Sequence, residues 1–357
     1  MSIPIRKRIA AGTLIGMPPF FLCCVFVLAS YVSEKSHPNI FVEPFETFLN
    51  ETIQVKAREY VHYTLQLNKG TTLHAKFIVS GGSNNKAEVW LLDSSNYQLF
   101  RNHQQFMSYN GTSGSVRGVA DYSFTIPKTD NYELVIDNTK ATKYSRTVSL
   151  YVYGVFPQPT SKSEEIAQAF QQTYDGLKQA FIFKDFKISL IHCGFENAFS
   201  DPNITICIEL IEDLANKGLG SALAFILSHE LGHTLLQDWG LPLSDNEDVQ
   251  DEFATVLCLM EEAKESATAA AQFWANLTSE EEALSKLYID DRHTISPQRA
   301  RNIANWISQQ DELLRRWQKM LIPNMQSDAL RKLDKETDPW INHELIRSEL
   351  KRRQPIP

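Results

Sequence analysis

The 357-residue chain holds five cysteines but no C-x-x-C pair, which excludes a zinc site built from cysteines. It also lacks a basic block interleaved with aromatics. Apart from Lys351-Arg352-Arg353, which read as a solvated end, its cations are dispersed. The net charge of -8 gives a surface that repels phosphates, so a general nucleic-acid binder is excluded. The first half shows no cluster of nucleophiles or metal ligands, and lone His62, His74 and His103 read as strand or surface residues. What remains is an ordinary globular balance, 43% hydrophobic and 22% charged. At this length it implies two domains plus extra segments.

One long apolar run is present. Arg6-Lys7-Arg8 precede an uncharged stretch from Ile9 to Val32. As a helix it would reach about 36 Å, against a hydrocarbon core of about 30 Å. Pro18-Pro19 interrupts a straight span, and Val27-Leu28-Ala29 offers a small-x-small cleavage site. Residues 1–33 therefore read as a signal anchor or a cleaved signal peptide. Either leaves the basic residues in the cytoplasm and exports the rest, membrane-anchored or secreted. Leu22 stands where a lipoprotein site needs a small residue, which argues against lipidation of Cys23-Cys24. In an oxidising compartment Cys193 and Cys207, which flank a short loop, are candidates for a disulfide. Cys258 is then a buried thiol. The alternative is two unlinked strand cysteines.

Residues 34–50 read as a spacer and 51–156 as strands. Tyr60–Leu67, Glu88–Leu92 and Tyr132–Ile136 are strand runs, and Asn68-Lys69-Gly70, Gly81-Gly82-Ser83 and Asp93-Ser94-Ser95-Asn96 are turn signals between such runs. Short strands at this spacing predict an antiparallel β-sandwich. The order of Gly70-Thr71-Thr72, Val89–Asp93, Tyr122–Pro127 and Tyr132–Asn138 resembles pre-peptidase C-terminal and GOLD sandwich modules. This region's expected work is binding a protein or glycan, or spacing. Residues 157–163 read as a linker. Residues 164–357 read as mainly helical, with strands at 186–192 and 204–208 and helices near 164–179, 209–217, 219–237, 246–276, 279–288, 296–321 and 338–352. The fold class is α+β, a sandwich followed by a helical domain with a small sheet.

The chemistry lies in Ser228-His229-Glu230-Leu231-Gly232-His233-Thr234. On a helix His229 and His233 stack on one face about 6 Å apart, and two imidazoles so placed bind one zinc ion. Glu230 lies beside them as a general base for a zinc-activated water. The helix is apolar nearly all round, so the three polar groups are buried together, and a metal satisfies them. After the break at Gly240–Ser244, Glu247 and Asp251 again share a helix face. Glu247 reads as the third metal ligand and Asp251 as the acceptor of a histidine ring N–H, with Asp248 and Asp251 as rivals for the metal.

His229–His233 followed by Glu247-x-x-x-Asp251-x-Phe253-Ala254 resembles the gluzincins. Cys193-Gly194-x-x-Asn197-Ala198-Phe199, Ile206-Cys207-x-Glu209-Leu210, Asp291-x-His293 and Arg299 extend a closer resemblance, over about residues 187–307, to the metallopeptidase family DUF4344. Where that family commonly has Tyr after Asn-Ala-Phe, Ser200 stands here. The resemblance implies a zincin-like fold and a Zn2+ cofactor. By similarity to the His-Pro…Arg segment of membrane-associated gluzincins, it also implies that His293 stabilises the oxyanion and Arg299 supports substrate or site carboxylates. Pro297 is displaced from that segment's pattern. The expected function is a zinc-dependent peptidase acting on peptides or proteins, with strand 204–207 as an edge for extended substrate. The alternatives are an exported scaffold with a degenerate peptidase-like domain and a zinc hydrolase of non-peptide amides.

Overall fold

The computed structural model describes residues 37–82, 85–109, 114–241, 246–276 and 296–354. They fall into two compact units, 43–164 and 165–354, the second also holding residues 37–42. No helix among the described residues is long and apolar enough to cross a membrane. The segment read as anchor or signal, and the helix expected at 279–288, lie outside the described residues.

The first unit is an antiparallel sandwich. One sheet orders β2 (Phe45–Val55), β9 (Arg146–Val155), β4 (Thr72–Ser80) and β7 (Val119–Thr125). The other orders β3 (Tyr60–Leu67), β8 (Asp130–Asp137), β5 (Lys86–Asp93) and β6 (Ser115–Arg117). Period-2 alternation drives them together: in β9 every second residue from Arg146 to Gly154 is buried. Leu73, Phe77, Val89, Leu134, Val148 and Leu150 fill the space between the sheets.

Asp93-Ser94-Ser95-Asn96, expected as a turn, instead opens helix α1 (Ser94–Arg101). The reason is local. Asp93 caps the helix, its Oδ1 accepting from Asn96 N at 2.7 Å and Ser95 Oγ at 2.8 Å, while Oδ2 accepts from Tyr109 OH at 2.9 Å. Tyr97 then packs on Leu92 and Val135, outside the main core.

The second unit is α+β. Its sheet orders β1 (Ile40–Val42), β10 (Ile188–Ile191), β12 (Asn203–Cys207) and β11 (Ala198–Asp201), the first three parallel and β11 antiparallel at the edge. Two expectations change here. Residues 40–42 and 45–50 are strand rather than spacer, because β1 pairs with β10 and β2 with β9. Strand 204–207 is internal, not an edge, because the short β11 folds back onto it through Asp201-Pro202-Asn203.

The helices are α2 (Ser161–Ala180), α3 (Ile208–Asn216), α4 (Ala222–Asp238), α5 (Glu247–Met260), α6 (Lys264–Asn276), α7 (Ser296–Ser308), α8 (Gln310–Leu321), α9 (Ser327–Leu333) and α10 (His343–Arg352). The run expected as one helix at 246–276 breaks at Glu262, where φ is 54°. Glu262 and Ala263 turn back to donate to the carbonyls of Leu259 and Cys258. The run expected at 296–321 likewise divides at Gln309, which donates to Asn305 and Trp306. The basic tail is not simply solvated. Arg353 is only 17% exposed, with Nε on Glu349 at 2.6 Å and Nη1 on the Met325 carbonyl at 2.6 Å.

Burial pushes the Asp93 carboxyl upward, but its four hydrogen bonds outweigh this and hold it near pKa 2. That cap stabilises the sandwich above the ordinary carboxylate pKa of about 3.8, and its contribution is lost as pH falls toward 2. Asp93→Ala is expected to cost about 0.5–2 kcal/mol near neutral pH and much less at pH 2. Hydrogen exchange of residues 86–137 checks both values.

Candidate metal centre

Helix α4 carries the histidines. It is buried on nearly every side, as its continuous Leu, Ala, Phe and Ile content demands. Its end is set by Gly240, whose φ of 65° suits only a residue without a Cβ penalty. There Gly240 N donates to the Gln237 carbonyl at 2.9 Å and Leu241 N to the Leu236 carbonyl at 3.0 Å, closing a Schellman turn. Helix α5 starts at Glu247, capped by Asn246, whose Oδ1 accepts from Val249 N at 3.2 Å.

The two helices pack closely because Gly232 has no side chain. A Cβ there would lie 2.4 Å from Gln250 Oε1 and 3.1 Å from Phe253 Cδ1. Gln250 and Phe253 are both fully buried, so neither yields cheaply.

This approach brings three donors together. One ligand atom from each of His229, His233 and Glu247 lies within 4.8 Å of the others. His229 Nε2 is 3.0 Å from Glu247 Oε2, and His233 Nε2 is 3.4 Å from Glu247 Oε1. Ligands of a tetrahedral ion at about 2.0–2.2 Å lie about 3.3 Å apart, so the spacing suits zinc.

The chemistry of the donors agrees. His229 Nδ1 is 2.8 Å from Asp251 Oδ1, and an acceptor there fixes the ring proton on Nδ1. In the neutral ring the Nε2 lone pair faces a carboxylate oxygen, so either a proton or a metal cation must lie between them. The residues fit a divalent metal.

Asp251 is fully buried and held from behind. Arg299 on α7 donates Nε to Oδ2 and Nη2 to Oδ1, both at 2.7 Å. The guanidinium lies 4.1 Å over the Trp274 ring of α6. Burial raises the Asp251 pKa, but Arg299 and His229 outweigh it and hold the carboxyl near 2. Burial likewise opposes the His229 imidazolium, yet Asp251 and Glu247 raise its pKa to about 9. For Arg299 the cost of burial is outweighed by Asp251, Glu247 and Glu230, and its pKa rises. Asp251 is the common partner: it favours the charged form of both Arg299 and His229, while the Arg299 charge by itself opposes the imidazolium.

Glu230 is buried beside His229. Asp248, a rival for the metal, points elsewhere, with Asn302 Nδ2 at 3.4 Å from its Oδ1. His293 lies outside the described residues. Cys193 and Cys207 form a disulfide, with Cα atoms 5.4 Å apart, and Cys258 is buried and free. Sequence reasoning gave no role to Gln250, Trp274, Thr234 or Glu209, although Thr234 and Glu209 stand in the motifs. A glycine inside a buried helix signals close approach and pointed toward a partner such as Gln250. Nothing in the local sequence marks Trp274 or tells what Thr234 and Glu209 bind.

Residues 160–313 match the family DUF4344, described as "Putative metallopeptidase". No curated protein matches the chain. Among solved structures, PliG of Aeromonas hydrophila, a periplasmic inhibitor of g-type lysozyme, is 16% identical with a TM-score of 0.19, covering 31% of this chain and 97% of its own. A mutant of PliG from Escherichia coli is also 16% identical with a TM-score of 0.19, covering 32% of this chain and 98% of its own.

The geometry ranks the three carboxylates. With chelator-stripped protein and Zn2+ as the probe, Glu247→Ala should weaken binding most. Asp251→Ala, which removes the partner of a ligand, should cost about 10–100-fold. Asp248→Ala should change least. If titration finds Asp248→Ala the worst of the three, the third ligand is misassigned.

Proposed function

We propose that the helical unit, whose residues 160–313 match the DUF4344 family, is a zinc-dependent peptidase of zincin-like fold. The observation that carries this is the convergence of His229, His233 and Glu247 on one point, with Glu230 next in sequence and the Asp251–Arg299 pair behind. His229, His233 and Glu247 would hold the zinc. When bound, zinc supplies a Lewis acid and lowers the pKa of the attacking water toward about 7.

The protein's own groups do the rest. Glu230 takes the proton of the attacking water and returns it to the leaving amine. Asp251, fixed by Arg299, holds the His229 ring so that Nε2 faces inward. His293 takes the role its resemblance implies, stabilising the oxyanion. The β11 edge, which no strand covers among the described residues, offers backbone pairing to an extended peptide.

The disulfide fits an oxidising compartment, which favours export of this domain. The sandwich is assigned the binding of a protein or glycan. A degenerate scaffold is disfavoured because a structural zinc site has no use for a buried carboxylate at Glu230.

Glu230→Gln keeps the size of the side chain and should leave zinc bound while lowering peptide turnover about 10²–10⁴-fold. Zinc analysis with a peptide-library digest of wild type and mutant tests this. Zinc without turnover in the wild type points to the scaffold, and turnover of non-peptide amides alone to the other hydrolase. Undiminished turnover in the mutant removes Glu230 as the base.

A further inference from the structure

Glu209 has no part in the chemistry above, yet its carboxylate is buried, with the residue only 9% exposed. It sits in the first turn of α3 and reaches back to the end of β10. There Oε2 accepts from Cys193 N at 3.1 Å and Oε1 from Gly194 N at 2.9 Å, one oxygen for each amide. Gly194 adopts a φ of +86°, so this is a tight turn whose N–H groups need an acceptor.

The same turn is tied a second and a third time. The disulfide joins Cys193 to Cys207, and Cys207 N donates to the Asn197 carbonyl at 2.9 Å. Residues 193–207 therefore form a ring closed at its base. At the opposite end, Thr234 Oγ1 donates to the Pro202 carbonyl at 3.1 Å. Thr234 directly follows His233 on α4. Between these anchors runs β11, packed against α4, with Phe199 exposed at 45%.

We infer that Glu209 is a positioning residue: together with the disulfide it holds β11 in register on α4, so that an extended peptide pairing with that edge is aligned with the candidate metal centre. The inference rests on the peptidase reading of that centre. Its chemistry is specific. A carboxylate supplies two acceptors to two adjacent N–H groups. A carboxamide supplies one acceptor and presents a donor to the second amide, and a methyl supplies none. A short substrate that reaches only the reacting centre has no use for the edge. A long one depends on it.

The test uses the exported chain and two substrates with the same scissile bond, an octapeptide and a blocked dipeptide amide. For Glu209→Ala, KM for the octapeptide should rise about tenfold, which corresponds to one or two lost hydrogen bonds. The dipeptide parameters and the zinc content should stay within about twofold, inside the usual scatter of a neutral substitution. Glu209→Gln should fall between wild type and Glu209→Ala. The Cys193→Ser/Cys207→Ser double variant should repeat the selective loss, and these two variants carry the test if Glu209→Ala fails to fold. Equal loss on both substrates, or no change on either, overturns the inference.

Hydrogen exchange of residues 195–201 provides a readout that needs no turnover. It should be faster in the variants, and unchanged exchange overturns the clamp. If wild-type protein cleaves neither substrate, the peptidase reading fails, and exchange alone judges whether Glu209 holds the strand.

Discussion

The second unit is organised around one buried carboxylate. Asp251 is fully buried, and an ionised carboxylate in that position is tolerable only if paired and hydrogen-bonded. Arg299 meets both oxygens with two 2.7 Å bonds, and His229 Nδ1 shares Oδ1 at 2.8 Å. Three elements, α4, α5 and α7, are thereby bound at one point, and the orientation of the His229 ring follows. Removing one partner of such a group typically costs about 3–5 kcal/mol because the remaining charge has no solvent to turn to. The same stiffness that makes the arrangement costly to break keeps the imidazole from rotating.

Around that point the packing is graded by side-chain size. Gly232 lets α5 approach α4 until Gln250 fills the space a Cβ would occupy. Glu247, on the first turn of α5, is therefore carried to both histidine Nε2 atoms, and its charge is favoured by the helix N-terminus. Trp274 covers the outer face of the Arg299 guanidinium and excludes water from the pair. On the other side of α4, the bond from Thr234 to the Pro202 carbonyl joins the histidine helix to the hairpin that ends the sheet. The candidate metal ligands and the strand edge that no strand covers among the described residues are thus joined through one helix.

Elements with strong periodicity were legible in the sequence. The alternating runs of the sandwich and the apolar run of α4 needed no partner to be recognised, and His229, Glu230 and His233 are neighbours on a single helix. Elements held by contacts to distant residues were not. β11 has four residues and little pattern, and it is a strand because β12 offers its edge. Helix α1 reads as a turn because Asp93-Ser94-Ser95-Asn96 suits both. Its capping bonds and the packing of Tyr97 on Leu92 and Val135 decide for helix. The basic tail reads as solvated because nothing local shows that Arg353 meets the carbonyls of Met325, Ile322 and Pro323.

For the candidate site the division follows the same physics. Spacing along one helix is covalent geometry, so the sequence by itself determined that two imidazoles and a carboxylate lie within one turn of α4. It also narrowed the candidate third ligand to a few acids on the next helix, because Glu247 and Asp251 share a face there. Which of them meets the imidazoles depends on the crossing of α4 and α5, and that is set by Gly232 against Gln250 and Phe253. Arg299, 48 residues beyond Asp251, meets it only because α7 packs on α5 and α6. Local periodicity carries no information about such distant contacts, and the tertiary structure decided them through close packing and the need to pair every buried charge.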